Sequence, residues 1–167
     1  VSLSAINAPG ACVLGGSLEA IDRLEQEIRQ AGIESRKLHT SHAFHTQMMD
    51  PMLEAFRAEL ASVKLRPPGI PWVSSMTGTW MSAADAVDSE YWVRQVRSPV
   101  RFSAALNVLL KSGERALLEL GPGNTLTMLA RQQTSPAHVL ISACGRAGLD
   151  EAGALTQAAG SAWACGV

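Results

Sequence analysis

His39-Thr40-Ser41-His42-Ala43-Phe44-His45-Thr46-Gln47-Met48-Met49-Asp50-Pro51 decides how this chain is read. Three of its four histidines fall within seven positions, at His39, His42 and His45, with Ser41 and Phe44 among them. Directly afterwards Met49, Met52, Leu53, Phe56 and Leu60 recur at helical spacing. The imidazoles therefore stand where a loop or strand end enters a helix. A ring at such a point can face a cleft while the helix behind it holds its backbone still. Imidazole is also the side chain whose unperturbed pKa lies nearest neutrality, which suits general acid–base work.

Three chemistries compete for the cluster. His42 and His45 have the i, i+3 spacing of some metal pairs, but zinc takes about four ligands, or three protein ligands in a catalytic site. No Cys pair, His-Glu-x-x-His or acidic cluster supplies the others. In a second reading the imidazoles simply cap backbone groups at a polar helix entry. In a third, one histidine is the base for a hydroxyl or thiol nucleophile that comes from elsewhere. Asp50, five positions beyond His45 along a helix, faces away from it and is no candidate partner. The residues alone leave all three open.

Composition narrows the partners. A net charge of −1 with scattered Lys and Arg suggests neither a nucleic-acid groove nor a basic membrane face. The apolar runs fall far short of the ~20 residues that span a bilayer, and no signal peptide opens the sequence. Cys12, Cys144 and Cys165 are widely spaced and odd in number, which fits a reducing, cytoplasmic setting better than a disulfide framework. The opening Val-Ser-Leu-Ser-Ala-Ile reads as a strand without an initiator Met, and the close at Ala-Cys-Gly-Val is equally abrupt. The expectation is a piece of a longer protein.

Along the chain, Leu3–Ile6 and Ala11–Leu14 read as strands around the turn formers Asn7-Ala8-Pro9-Gly10. Ser17 is a good N-cap for a helix with Ile21, Leu24 and Ile28 on one stripe, and Gly32 closes it. Ile33–Leu38 is the next strand, leading into the histidines. Strand–strand–helix–strand is the last two-thirds of a ferredoxin-like βαββαβ unit whose first strand and helix are missing. One helix then covers Met49–Leu60, short strands cover Ile70–Ser75 and Met76–Met81, and Ala83–Ser89 is a loop or weak helical turn. Further helices come around Tyr91–Val96, broken at Ser98-Pro99, and over Phe102–Lys111. Ala116–Leu120 is a compact strand running into Gly121-Pro122-Gly123-Asn124. The helix Thr125–Gln132 points its N-terminal amides at a cleft. Val139–Ala143 is the last strand, and the Ala-rich stretch from Asp150 to Trp163 is helical, its end ambiguous between helix and linker.

Ser-His-Ala-Phe-His (41–45) followed by Met-Met-Asp-Pro resembles the histidine motif of malonyl-type acyltransferase domains in modular polyketide synthases. It is also similar to that of the stand-alone malonyl-CoA:acyl carrier protein transacylases of fatty acid synthesis. Tyr91–Phe102 resembles the Arg-Gln…Pro-Val block of this family, and Leu117–Leu126 its Glu-x-Gly-Pro-Gly strand and turn. Ala5–Pro9 resembles its Asn-x-Pro turn, and Ala162–Val167 the start of the linker after the acyltransferase. The likeness runs along essentially the whole chain in family order.

That resemblance implies an α/β fold: an incomplete ferredoxin-like small subdomain over residues 1–40, then the C-terminal part of an α/β-hydrolase-like acyltransferase large subdomain over 41–157. Residues 158–167 would begin the linker. It implies malonyl transfer from malonyl-CoA, by way of an acyl-serine, to the phosphopantetheine thiol of an acyl carrier protein, with no bound cofactor and no metal. His45 is then the base and the main-chain carbonyl of Gln95 orients it. His42 and Phe44 fall on specificity positions, Phe44 favouring malonyl by crowding the acyl α-carbon, and Asn7 falls on a substrate contact. Expected partners are the carrier protein, the N-terminal part of the acyltransferase and neighbouring synthase domains. No Gly-x-Ser-x-Gly elbow occurs in these residues, and Ser41, four positions from His45, has no glycine turn around it. The family's carboxylate-binding arginine and oxyanion amides lie upstream as well, so the 167 residues are expected to be inactive alone. A non-catalytic α/β docking module and a stand-alone fatty-acid transacylase are the alternatives.

Overall fold

A computed structural model describes residues 1–111, 113–142 and 151–167. Cys144, the strand end expected at residue 143 and the helix start expected at residue 150 lie outside them. The chain forms two compact units, Val1–Phe102 and Ser103–Val167.

In the first unit, β1 (Ser2–Ala8) and β2 (Ala11–Gly15) make an antiparallel hairpin in which Ala8 faces Ala11. The turn is therefore Pro9-Gly10, one residue with a preset φ and one without a Cβ. Asn7, expected in that turn, instead belongs to β1, where the pairing register breaks between Ile6 and Ala8. Ladder pairing extends as far as the two-residue turn allows. The helix α1 (Leu18–Gln30) starts where the Ser17 hydroxyl accepts the Ala20 amide at 3.3 Å. It stops in a Schellman motif: the Ile33 amide donates to Ile28 and the Gly32 amide to Arg29, both at 3.0 Å, with Gly32 at φ +72°.

The strand expected at Ile33–Leu38 does not form, and residues 33–40 are all exposed. A strand needs a neighbour for its amides and carbonyls. Both edges of β1 are taken, one by β2 and the other by Val100, whose amide donates to Ser4 at 2.9 Å and whose carbonyl accepts from Ile6 at 2.8 Å, and residues 33–38 do not pair with the outer edge of β2. Lys37 instead ties the segment back to α1 through Asp22 and Glu25. Among the described residues the ferredoxin-like order thus stops at hairpin and helix.

The single helix expected over Met49–Leu60 is a 3-10 turn, Gln47–Met52, followed by α2 (Leu53–Ser62). Pro51 has no amide to donate, so regular α-helical bonding begins only beyond it. The strand expected at Ile70–Ser75 shrinks to one bridge, Val73 with Trp80, because the chain turns back at once. The Ser74 hydroxyl accepts the Met76 and Thr77 amides, both at 3.1 Å, and Gly78 takes the positive φ the turn needs. Two further helices come next, α3 (Ala83–Val87) and α4 (Ser89–Arg97). α4 packs on α2, and the Arg57 guanidinium reaches the Glu90 carboxylate with two bonds of 2.6 and 3.2 Å. Tyr91, Val93, Ala86, Met49 and Ala8 are buried, and so is Ser74, whose hydroxyl bonds that of Tyr91.

The chain enters the second unit along α5 (Phe102–Leu110). β3 (Ala116–Glu119) and β4 (Val139–Ser142) pair in parallel, Ala116 with Val139 through Glu119 with Ser142. A parallel pair requires a crossover, which here contains α6 (Thr125–Arg131). α7 (Glu151–Ala164) buries Ala158 against Ile141, with Ala162 packed beside them. The helix expected as far as Trp163 thus runs to Ala164 and includes the first residues of the expected linker.

The first amides of α6, expected to point at the occupant of a cleft, are instead engaged by a side chain of the preceding strand. Those of Leu126 and Thr127 donate to the Glu119 carboxylate at 3.0 and 2.8 Å, so β3 caps the helix across the Gly-Pro-Gly turn. Burial pushes the Glu119 carboxyl up, but bonds from the Thr127 side chain and the two amides outweigh it and hold the group below the usual carboxylate value. With the folded pKa below the unfolded one, the capping contribution is complete above the unfolded value. It is lost as pH falls through the folded value. Glu119→Gln should cost about 0.3–1 kcal/mol at neutral pH by removing the charge at the helix N-terminus, and that gap should close in acid. Urea denaturation at a series of pH values measures it.

Candidate functional site

The histidine loop is built on Thr46. This residue is 2% exposed, its hydroxyl donates to the Ala43 carbonyl at 2.6 Å, and the same oxygen accepts the Met48 amide at 3.2 Å. One side chain thus closes the turn before the 3-10 segment and caps that segment's start. Gly15, at the end of β2, makes room for it. A Cβ there would lie 2.7 Å from the Ser4 hydroxyl, 2.9 Å from the Thr46 methyl and 3.0 Å from the Ala43 methyl. The strand end and the loop can touch only because that carbon is missing.

Between Ala43 and Thr46, His45 stands at φ +60°, the only non-glycine residue with positive φ among those described. Such a conformation costs on the order of 1–3 kcal/mol and persists where its surroundings enforce it. Here the result is a half-buried ring whose Nδ1 lies 3.2 Å from the main-chain oxygen of Gln95, in the last turn of α4. A carbonyl only accepts, so Nδ1 carries the hydrogen and donates it. The neutral ring is then the Nδ1–H tautomer, and its Nε2 lone pair is left to accept a proton. Asp50 takes no part: its carboxylate accepts from Arg97 Nε at 3.0 Å.

His42 and Phe44 share the loop, and both are exposed. Their ring centroids are 6.0 Å apart at an interplanar angle of 57°, and the Phe44 amide donates to the His42 carbonyl at 3.0 Å. His42 Nδ1 is 3.0 Å from the Ser41 hydroxyl, so Ser41 pairs with the neighbouring imidazole. Phe44 is 49% exposed, which makes it available to a ligand. Asn7 is half-buried on β1. His39 lies in the exposed stretch after α1. Among the described residues no group of three His, Cys, Asp or Glu side chains is arranged to hold a metal, and no helix is long and apolar enough to cross a membrane.

Sequence reasoning missed Thr46 and Gly15. A Thr at a helix entry is a recognisable capping signal, whereas nothing local to Gly15 marks a contact with a loop some thirty positions away.

The chain matches the acyl transferase domain family over residues 1–151. Across its whole length it is 40% identical to a phenolphthiocerol/phthiocerol polyketide synthase protein of Mycobacterium tuberculosis, spanning 12% of that protein. Of solved structures, the acyltransferase domain from the second module of the salinomycin polyketide synthase is 35% identical with a TM-score of 0.89, over 97% of this chain and 38% of that one. Malonyl-CoA:acyl carrier protein transacylase from Xanthomonas oryzae is 25% identical with a TM-score of 0.78, over 93% of this chain and 48% of its own. By sequence and by fold, the chain belongs to the acyl transferase domain family, among the acyltransferase domains of polyketide synthases.

Proposed function

We propose that this chain supplies the base for an acyltransferase that moves malonyl from malonyl-CoA to the phosphopantetheine thiol of an acyl carrier protein. The observation that carries the reading is the 3.2 Å approach of His45 Nδ1 to the Gln95 carbonyl, which orients the ring and selects its tautomer. The nucleophile is a serine of a Gly-x-Ser-x-Gly elbow, which these 167 residues do not contain.

The chemistry runs in two halves. Nε2 of His45 takes the serine proton as the serine oxygen bonds to the thioester carbon, and the proton passes to the departing CoA sulfur. The acyl-serine ester is then attacked by the phosphopantetheine thiol, whose proton goes to Nε2 and from there to the serine oxygen as the ester bond breaks. Splitting one transfer in this way is the advantage of nucleophilic catalysis. Through both halves Nδ1–H stays on the Gln95 carbonyl, so the ring does not turn as it gains and loses charge.

His42 and Phe44 border the acyl group in this reading, the Phe44 ring leaving room for malonyl and crowding a branched α-carbon. Asn7 contacts substrate. Residues 1–40 serve as part of a ferredoxin-like small subdomain, residues 41–157 as the C-terminal part of the large one, and residues 158–167 begin the linker. The carrier protein, the elbow-bearing part of the acyltransferase and neighbouring synthase domains are the partners, in the cytoplasm. The likeness to synthase acyltransferases and to a malonyl-CoA:acyl carrier protein transacylase supports the substrate class.

Combined with an acyltransferase segment carrying the elbow, the chain should restore malonyl transfer to a carrier protein, read by mass spectrometry of the carrier. His45→Ala should lower the rate by about 10²–10⁴-fold, and transfer that survives it would remove the proposed base. Incubated alone with malonyl-CoA, the 167 residues should form no ester; a malonyl adduct on Ser41 would contradict the assignment. Thr46→Val keeps the shape but leaves the Ala43 carbonyl and Met48 amide without their partner. It should cost about 1–3 kcal/mol in denaturant titrations and slow transfer in the same assay.

A further inference from the structure

The Gln95 carbonyl is open to His45 because α4 ends two residues beyond it, at Arg97. In a continuing α-helix that oxygen would accept the amide of residue 99, four positions on. Residue 99 is proline and has no amide hydrogen. The amides on either side are engaged elsewhere: that of Ser98 donates to Arg94 and that of Val100 to Ser4, each at 2.9 Å. Proline also disfavours the helical region for the residue before it. Ser98 accordingly stands at φ −82°, ψ 145°, which stops the helix and sends Val100 to the edge of β1.

We infer that Pro99 is a positioning residue for His45. By withholding an amide, it reserves the Gln95 carbonyl for Nδ1–H and so fixes the tautomer that exposes the Nε2 lone pair. An ordinary residue at 99 would bring a hydrogen with a claim on the same oxygen. Losing to it, the imidazole would be free to carry its hydrogen on Nε2, the form that cannot accept the serine proton. The catalytic consequence rests on the reading of His45 as the base, but the tautomer can be measured without turnover.

The test is the long-range proton–nitrogen correlation spectrum of the ¹⁵N-labelled chain at about pH 8.5, where an ordinary imidazole is neutral. The wild type should show His45 with its hydrogen on Nδ1. Pro99→Ala should lose that pattern, wholly or in part, to the Nε2–H form. N-methylalanine placed at position 99 by chemical ligation has neither ring nor amide hydrogen, and should keep the wild-type pattern. A folded Pro99→Ala chain with an unchanged tautomer overturns the inference. Should Pro99→Ala fail to fold, the N-methylalanine chain decides: retention of Nδ1–H supports the inference and its loss overturns it. In an intact acyltransferase domain containing these residues, Pro99→Ala should reduce kcat/KM about tenfold or more, with recovery in the N-methylalanine form. A shifted tautomer with undiminished transfer would uphold the role of Pro99 and count against His45 as the base. An unchanged tautomer beside a dead His45→Ala enzyme would do the reverse.

Discussion

One hydrogen bond, from His45 Nδ1 to the main-chain oxygen of Gln95, places a demand on everything around it. The two residues are fifty positions apart, one on a tight loop and the other in the last turn of a helix, and the bond holds only if both backbones stand still. A net contribution of about 0.5–1.5 kcal/mol cannot itself impose that order. The loop is fixed first by Thr46 and by the missing side chain at Gly15, which together hold His45 in a conformation few side chains adopt. The helix is fixed from several directions. Arg57 grips Glu90 in its first turn, the buried Tyr91 hydroxyl meets Ser74, and Trp92 donates its indole hydrogen to the Ala86 carbonyl at 3.1 Å. At its far end Arg97 reaches Asp50 at 3.0 Å, on the very segment that comes after the histidines.

These restraints differ in kind. The Arg57, Arg97 and Lys37 pairs lie on accessible side chains, where an ion pair is worth roughly 0–1 kcal/mol. The hydroxyls of Ser74 and Thr46 are buried and each serves two backbone groups, so removing either strands polar atoms away from water. The geometry of the base therefore depends more on two small polar residues than on the visible charges. The second unit has the same pattern, with Glu119 holding the first amides of α6.

What the sequence made legible was local. Ser17 and Gly32 mark the ends of α1, and Pro9-Gly10 marks the hairpin, because capping and turn chemistry act within a few residues. The apolar run Ile33–Leu38 misleads because strand formation depends on a neighbour, and no spacing within the run records whether one is there. Pro51 carried the information that divides the expected helix, but the apolar repeat outweighed it. Glu119 caps across a turn, where no short capping pattern applies. Among the site residues, the histidine cluster stood out by itself, whereas the choice of His45 within it and of Gln95 as its partner came from family likeness, since a polar residue in a helix says nothing of its carbonyl. Yet Pro99, four positions later, is a local signal that this carbonyl lacks its helical partner.

Neutron diffraction from crystals of the deuterium-exchanged domain, with His45 refined without restraint on its protonation, tests the hydrogen bond from His45 to Gln95 most directly. The neutral ring should carry a deuteron on Nδ1, directed at the Gln95 oxygen. A neutral ring carrying its deuteron on Nε2, or one turned away from residue 95, would contradict that bond.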